Sequence, residues 1–157
     1  MQIVETKDPK LMGQLGKTMQ EKHRSMYPEF FKPYDEEAIA LHFETVFQNP
    51  KARVFLWIDE AKEEDPIAAY LWLEEQEMKE SVYRYGYTRL YISHIAVLPD
   101  YQGQGLSKEL LQYADSYACE KNIEFVELHY WATNEIAKET YRKNGFVIYN
   151  EIAQKKL

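Results

Sequence analysis

A single cysteine, Cys119, leaves the chain without any possible internal disulfide. One thiol in 157 residues fits a reducing compartment, and a cytoplasmic protein is the expectation. No apolar run reaches the length needed to cross a bilayer, and the opening MQIVETKDPK has no apolar stretch of the signal-peptide kind, so no membrane partner is expected. Basic residues are in deficit, 19 against 26 acidic ones, for a formal charge of −7. That argues against a nucleic-acid partner, which calls for a basic stripe. It suits a cationic substrate, though solvated acidic surface gives the same balance. The four histidines show no ligand spacing, and with one cysteine beside them no metal site is expected. Low-complexity tracts are absent, so the chain should be ordered throughout.

What is present is enough for one core. Apolar residues make up 45% and aromatics 15%, with thirteen tyrosines, and the length fits a single domain spanning residues 1–157. The six prolines fall at plausible element boundaries. Residues 2–6 read as a strand. Asp8 and Pro9 form a cap and first-turn pair ahead of Leu11, Leu15 and Met19 at helical spacing. Gly13 and Gly16 weaken that helix, which makes sense if another element must approach its backbone. Asp35 opens a second helix with Ile39, Phe43, Val46 and Phe47 on its apolar face. Between them lies YPEFFKPY, residues 27–34, an aromatic loop able to pack as a lid or line a pocket.

Residues 53–59, 67–73 and 87–98 read as strands, the first two apolar on both faces and therefore central. A helix with Leu106, Leu110, Leu111, Ala114, Tyr117 and Ala118 on one face comes next. It places Cys119 as a small buried apolar side chain. Then come a strand at 123–130, a helix at 134–144 closed by Asn144 and Gly145, and a last strand or hairpin in FVIYNEIAQKKL. The Glu-rich EEQEMKE, residues 74–80, reads as a solvated loop. A three-strand meander followed by a β-α-β unit implies an α+β fold, with a mixed sheet flanked by helices on both faces.

The strand-to-helix junction carries Gln102, Gly103, Gln104, Gly105, Leu106 and Ser107. The first amides of a helix have no internal acceptor, and glycines let an anion come close to them. Neither common nucleotide-loop spacing is present, so QGQG by itself reads equally as a tight turn or an anion site. The setting decides more. Q-x-x-G-x-S at 102–107 after the strand IAVLP resembles the acyl-donor signature of the GNAT N-acetyltransferase superfamily. N-x-x-A-x-x-x-Y-x-x-x-G-F at 134–146 is similar to that family's second hallmark. The order of elements resembles it over essentially the whole chain.

The resemblance implies an acetyl-CoA-dependent N-acetyltransferase that moves an acetyl group directly to a primary amine of a small molecule or peptide, through a tetrahedral intermediate. It assigns Gln102 to Ser107 to the pyrophosphate of acetyl-CoA. Ile95, Ala96 and Val97 go to the pantetheine arm by backbone pairing, with the oxyanion held near Val97. Asn134 goes to that arm or a water beside it, and Tyr141 to the leaving thiolate as proton donor. Serine at 107 departs from the family's usual glycine or alanine but is small enough to keep the approach open. Packing against Ala137 is the structural alternative for Tyr141.

For the base, the strand offers Tyr91, Ser93 and His94. Strict alternation puts Tyr91, Ser93, Ile95 and Val97 on one face, and Ile92, His94 and Ala96 on the other. That makes His94 a packed, hydrogen-bonded core histidine more readily than a base. His129 is a weaker candidate, and His42 reads as surface or satisfied. His23, Tyr27, Phe30, Phe31 and Tyr91 are the expected acceptor wall. Three other readings stand beside the acetyl-CoA enzyme: the same enzyme using another acyl-CoA, a non-catalytic CoA-binding regulatory module, and an α/β domain whose glycines only turn the chain. A homodimer is possible through pairing of the C-terminal strand across chains.

Overall fold

The computed structural model describes residues 1–157. Its elements are β1 (Gln2–Thr6), α1 (Pro9–Leu15), α2 (Lys17–Met26), α3 (Glu36–Val46), β2 (Ala52–Ile58), β3 (Ile67–Met78) and β4 (Tyr87–Val97). A 3-10 turn at Pro99–Tyr101 leads to α4 (Leu106–Glu120), β5 (Phe125–Leu128) and α5 (Glu135–Lys143). The caps are the expected ones. The Asp8 carboxylate accepts from the amides of Lys10 and Leu11, and that of Asp35 from Ala38 at 3.0 Å.

The N-terminal helix is two helices, broken where Gly16 ends α1 and begins α2. Gly13 has a packing role. A Cβ there would stand 2.7 Å from the Glu36 carbonyl oxygen, so α3 crosses α1 at backbone contact. The Tyr34 hydroxyl, from the aromatic loop, donates to the Gly13 carbonyl at the same crossing.

The sheet order is β1-β2-β3-β4-β5, antiparallel except for the parallel β4–β5 pair that the α4 crossover requires. One face packs Phe55, Trp57, Leu71, Leu73, Leu90 and Ile92 against α4, with Tyr141 of α5 in the same cluster. The other packs Val54, Leu56, Tyr70 and Trp72 under Met12 of α1 and Phe43 of α3. Helices therefore cover both faces, as the sequence implied.

Several local expectations fail for identifiable reasons. β3 runs on to Met78, so most of EEQEMKE is strand and not loop. Its residues pair with the first half of β4, from Glu74 with Tyr91 to Met78 with Tyr87. β5 is shorter than the alternation of 123–130 promised, and the C-terminal FVIYNEIAQKKL forms no strand. Cys119 is exposed. It follows Ala118, the last buried residue of the α4 face, by one position, and one residue is about 100° of helix turn.

The most consequential departure lies in β4. Trp72 pairs with His94 but Leu73 pairs with Ile92, so Ser93 is an extra residue, a β-bulge. Alternation breaks there. Ile92 before the bulge, and Ile95 and Val97 after it, all join the α4-side core, while Ala96 joins the α1–α3 side. The His94 ring lies against Trp72 and Tyr70 on that second side. Tyr91 shares its face with His94 and not with Ile95, contrary to the alternation expected from sequence.

Candidate active site

The bulge coincides with a parting of strands. β5 pairs with β4 only from Arg89–Phe125 to Ile92–Leu128, whereas β3 stays on β4 as far as Val97. From Ser93 onward one edge of β4 has no strand beside it. At the end of this segment the Leu98 amide is committed to the Ala68 carbonyl, and the Val97 carbonyl accepts from the Gln102 side chain at 3.1 Å. Gln104 likewise folds back, donating to the Asp100 carbonyl at 3.1 Å. Both glutamine side chains brace the loop and leave its amides free.

Gly103 and Gly105 have φ of +77° and +85°, a left-handed conformation costly to residues with a Cβ. A Cβ at either would meet nothing within 4 Å. Backbone conformation, not crowding within the protein, is what calls for glycine here. The result is a run of amides, Gly103 to Ser107, none of which donates to a protein acceptor. They open α4, where the helix dipole adds positive potential. Leu106 buries its side chain in the core, so only its backbone is available, while the Ser107 side chain is half-buried. This cradle suits an anionic group such as a phosphate, which needs several donors and close approach.

Across the parting stands α5. Asn134 caps it, with Oδ1 accepting from the Ala137 amide at 3.3 Å. Tyr141 is buried, its ring 5.5 Å from Tyr130 and 5.8 Å from Phe146. Burial, aided by Tyr130, pushes its hydroxyl up to about 12. That hydroxyl has no protein partner and keeps a narrow opening to solvent.

On the opposite side, His94 keeps a fully buried Nδ1 with no hydrogen-bond partner. The hydrogen-bonded core histidine of the sequence expectation is thus only half right: the ring is packed, but it makes no hydrogen bond within the protein. Burial, and then the nearby His23 and His42, lower it to about 4. The ring is neutral at pH 7. Because the unfolded histidine takes up a proton more readily than the folded one, stability should be complete above pH 6.5. It should fall as pH drops from there through about 4. The expected loss is on the order of 3 kcal/mol. Urea unfolding at several pH values should show it, and His94→Leu should flatten that slope; an unchanged slope would assign the acid sensitivity elsewhere.

Of the residues expected at the acceptor wall, His23, Tyr27, Phe30 and Phe31 lie together, while Tyr91 contacts His129 instead. Tyr27, Phe30 and Phe31 surround Trp131 at 4.4, 5.8 and 5.0 Å between ring centres, and His23 lies 5.0 Å from Phe31. The Thr133 hydroxyl donates to the Tyr27 hydroxyl at 2.9 Å, tying the aromatic loop to the turn just ahead of Asn134. Tyr91 meets His129 Nδ1 at 2.9 Å.

Sequence reasoning missed Trp131 and Thr133, although both stand within three residues of Asn134. It also missed an ion pair in the floor beside Tyr91. Arg89 and Glu127 are joined there, with Tyr87 and Tyr149 also donating to Glu127. Burial alone would raise the Glu127 carboxyl; the bonds from Arg89 and the two tyrosines bring it below its usual range. Nothing in the sequence pairs these two charges, because strand register decides it. No group of histidines, cysteines or carboxylates is placed to hold a metal ion.

A mixed sheet splayed at a bulge, with an open amide cradle at the following helix, defines the acetyltransferase fold. Over residues 17–146 the chain matches the acetyltransferase (GNAT) family, and it belongs to that family, which uses acetyl-CoA as donor. A search of curated protein sequences finds no match. Among solved structures, a mutant of the BH1408 protein from Bacillus halodurans superposes with a TM-score of 0.90 at 21% identity, covering 100% of this chain and 99% of that one. A predicted acetyltransferase with acetyl-CoA from Clostridium acetobutylicum gives 0.68 at 17% identity, over 99% and 95%. AAC(6')-Iy in complex with the bisubstrate analog CoA-S-monomethyl-acetylneamine gives 0.66 at 13%, over 99% and 97%.

Proposed function

We propose that this chain is an acetyl-CoA-dependent N-acetyltransferase that passes the acetyl group directly to a primary amine of a small molecule or peptide. The observation that carries the reading is the run of free amides from Gly103 to Ser107 beside the unpaired end of β4. Acetyl-CoA supplies an activated acyl group and a thiolate leaving group. Gln102 and Gln104 hold the loop in shape, while Gly103, Gly105, Leu106 and Ser107 offer amides to the pyrophosphate. Ile95, Ala96 and Val97 present the free strand edge to the pantetheine arm, and Asn134 keeps its amide nitrogen for the same arm.

Tyr141 is the proton donor to the thiolate. Its raised hydroxyl keeps it protonated across the working pH range, which suits an acid. His94, neutral and with Nδ1 closed to solvent, is packed on the α1–α3 side of β4 and is too buried to take the amine's proton, which leaves through water. Ser93 at the bulge sets the turn of strand that places His94 there. Tyr91 and the ring cluster of His23, Tyr27, Phe30 and Phe31 form the acceptor wall. Glu127, the carboxylate in the floor beside Tyr91, is already engaged by Arg89 and two tyrosines, which favours an amine on an aromatic or apolar scaffold over a polycation. The absence of a helix long and apolar enough to cross a membrane is compatible with action in the cytoplasm.

The test is thiol release from acetyl-CoA with a panel of primary amines, arylalkylamines and polyamines included. Turnover should appear with an arylalkylamine. Tight CoA binding with no release from any amine would turn the reading toward the regulatory module.

A further inference from the structure

The loop that opens α4 is held at its head by a turn from another part of the chain. Between β2 and β3 the chain reverses through Asp59 to Pro66, DEAKEEDP, and this turn lies against the 3-10 turn Pro99–Tyr101. Tyr101 immediately precedes Gln102. Its ring is buried in the α4-side core, and its hydroxyl reaches out of that core to donate to Asp59 Oδ2 at 3.2 Å. Lys62 closes the same contact from outside. Its Nζ stands 4.4 Å from the centre of the Tyr101 ring and 3.8 Å from the Asp100 carboxylate.

Asp59 is a fixed post. Its amide donates to the Pro66 carbonyl at 2.7 Å, and its carbonyl accepts from the Lys62 amide at 3.0 Å. Its other carboxylate oxygen accepts from the Ala61 amide at 3.1 Å. The bonds that the loop makes for itself, Gln102 to Val97 and Gln104 to Asp100, come instead from exposed side chains. Water competes for bonds of that kind. The Tyr101–Asp59 bond is partly buried, and it ties the residue before the loop to a hairpin of the central sheet.

We propose that Asp59 and Tyr101 are positioning residues for the acyl donor, their bond holding the head of the loop where the amides of Gly103 to Ser107 converge on one anion. This rests on the reading of those amides as the pyrophosphate cradle. Neither side chain needs to touch the donor. Both act through Gln102 and the glycines that follow, because a swing of the 3-10 turn moves every amide after it.

Calorimetric titration of the full chain with CoA tests this, together with kinetics on acetyl-CoA and 2-phenylethylamine. Tyr101→Phe keeps the buried ring and loses only the hydroxyl, while Asp59→Ala removes its acceptor. Each should weaken CoA binding by about fivefold, the scale of one hydrogen bond, and raise KM for acetyl-CoA in step. The double variant should bind no more weakly than Asp59→Ala alone, since the same bond is lost in each. The kcat at saturating acetyl-CoA should hold. Variants that melt earlier yet bind CoA like the wild type overturn the proposal and leave a packing contact. So do additive losses in the double variant, or a fall in kcat in place of the rise in KM. Gly105→Val, run alongside, separates this proposal from the reading beneath it. If it weakens CoA binding while Tyr101→Phe and Asp59→Ala do not, the positioning role alone fails. If none of the three weakens it, the cradle reading fails and the positioning role falls with it.

Discussion

Replacing Gly105 by valine should weaken acetyl-CoA binding by about tenfold to a hundredfold, the range expected when hydrogen bonds to a charged group are lost. Two effects combine. Valine resists φ of +85°, and its side chain would fill the space in front of the α4 amides that is empty within the protein. Since no protein atom lies within 4 Å of that position, there is no internal clash, and the folded state should lose only the backbone term, about 1–2 kcal/mol.

Gly145→Val provides the control. Gly145 has the same kind of backbone, φ +88° with open space around it, but it follows the end of α5 and not the head of α4. It should lower the melting temperature by a similar amount and leave CoA affinity alone. Calorimetric titration with CoA, alongside thermal melts of both variants, separates the outcomes. If both glycine variants lose stability and neither loses affinity, QGQG is a turn and nothing more.

Tyr141→Phe should lower kcat by about a hundredfold or more, the usual scale for removing a positioned acid, with acetyl-CoA affinity unchanged. The ring stays, so its contacts with Tyr130 and Phe146 stay too. Stability should therefore hold below pH 10. The pH dependence gives a second readout. With the folded hydroxyl raised to about 12, the wild type should lose stability as pH climbs from 10 toward 12, where the unfolded tyrosine ionises and the folded one does not. Phenylalanine removes that slope. A variant with full kcat but the altered alkaline slope would make Tyr141 a packing residue on α5, the role its i, i+4 partner Ala137 always allowed.

Most of the frame was legible because it rests on local chemistry. Asp8 with Pro9 and Asp35 announced helix starts, Asn144 with Gly145 a helix end, and the apolar stripes of α3 and α4 their buried faces. Failures cluster where a residue's state depends on what lies across from it. Trp131 meets Tyr27 across more than a hundred residues of chain, and Arg89 meets Glu127 only because β4 and β5 lie in one register. Cys119 was misplaced by a single helical position, since a stripe of small residues does not mark its own border.

By itself, the sequence determined the class of fold, the loop that opens α4 and the positions of its glycines, since left-handed backbone and free helix-start amides are properties of a few consecutive residues. Only the tertiary structure decided which way β4 points its side chains. One extra residue at Ser93, visible solely against the opposing strand, moves Tyr91 and His94 to the same face. Alternation along a strand is local, but a bulge is a mismatch between two strands. No reading of one of them alone can find it.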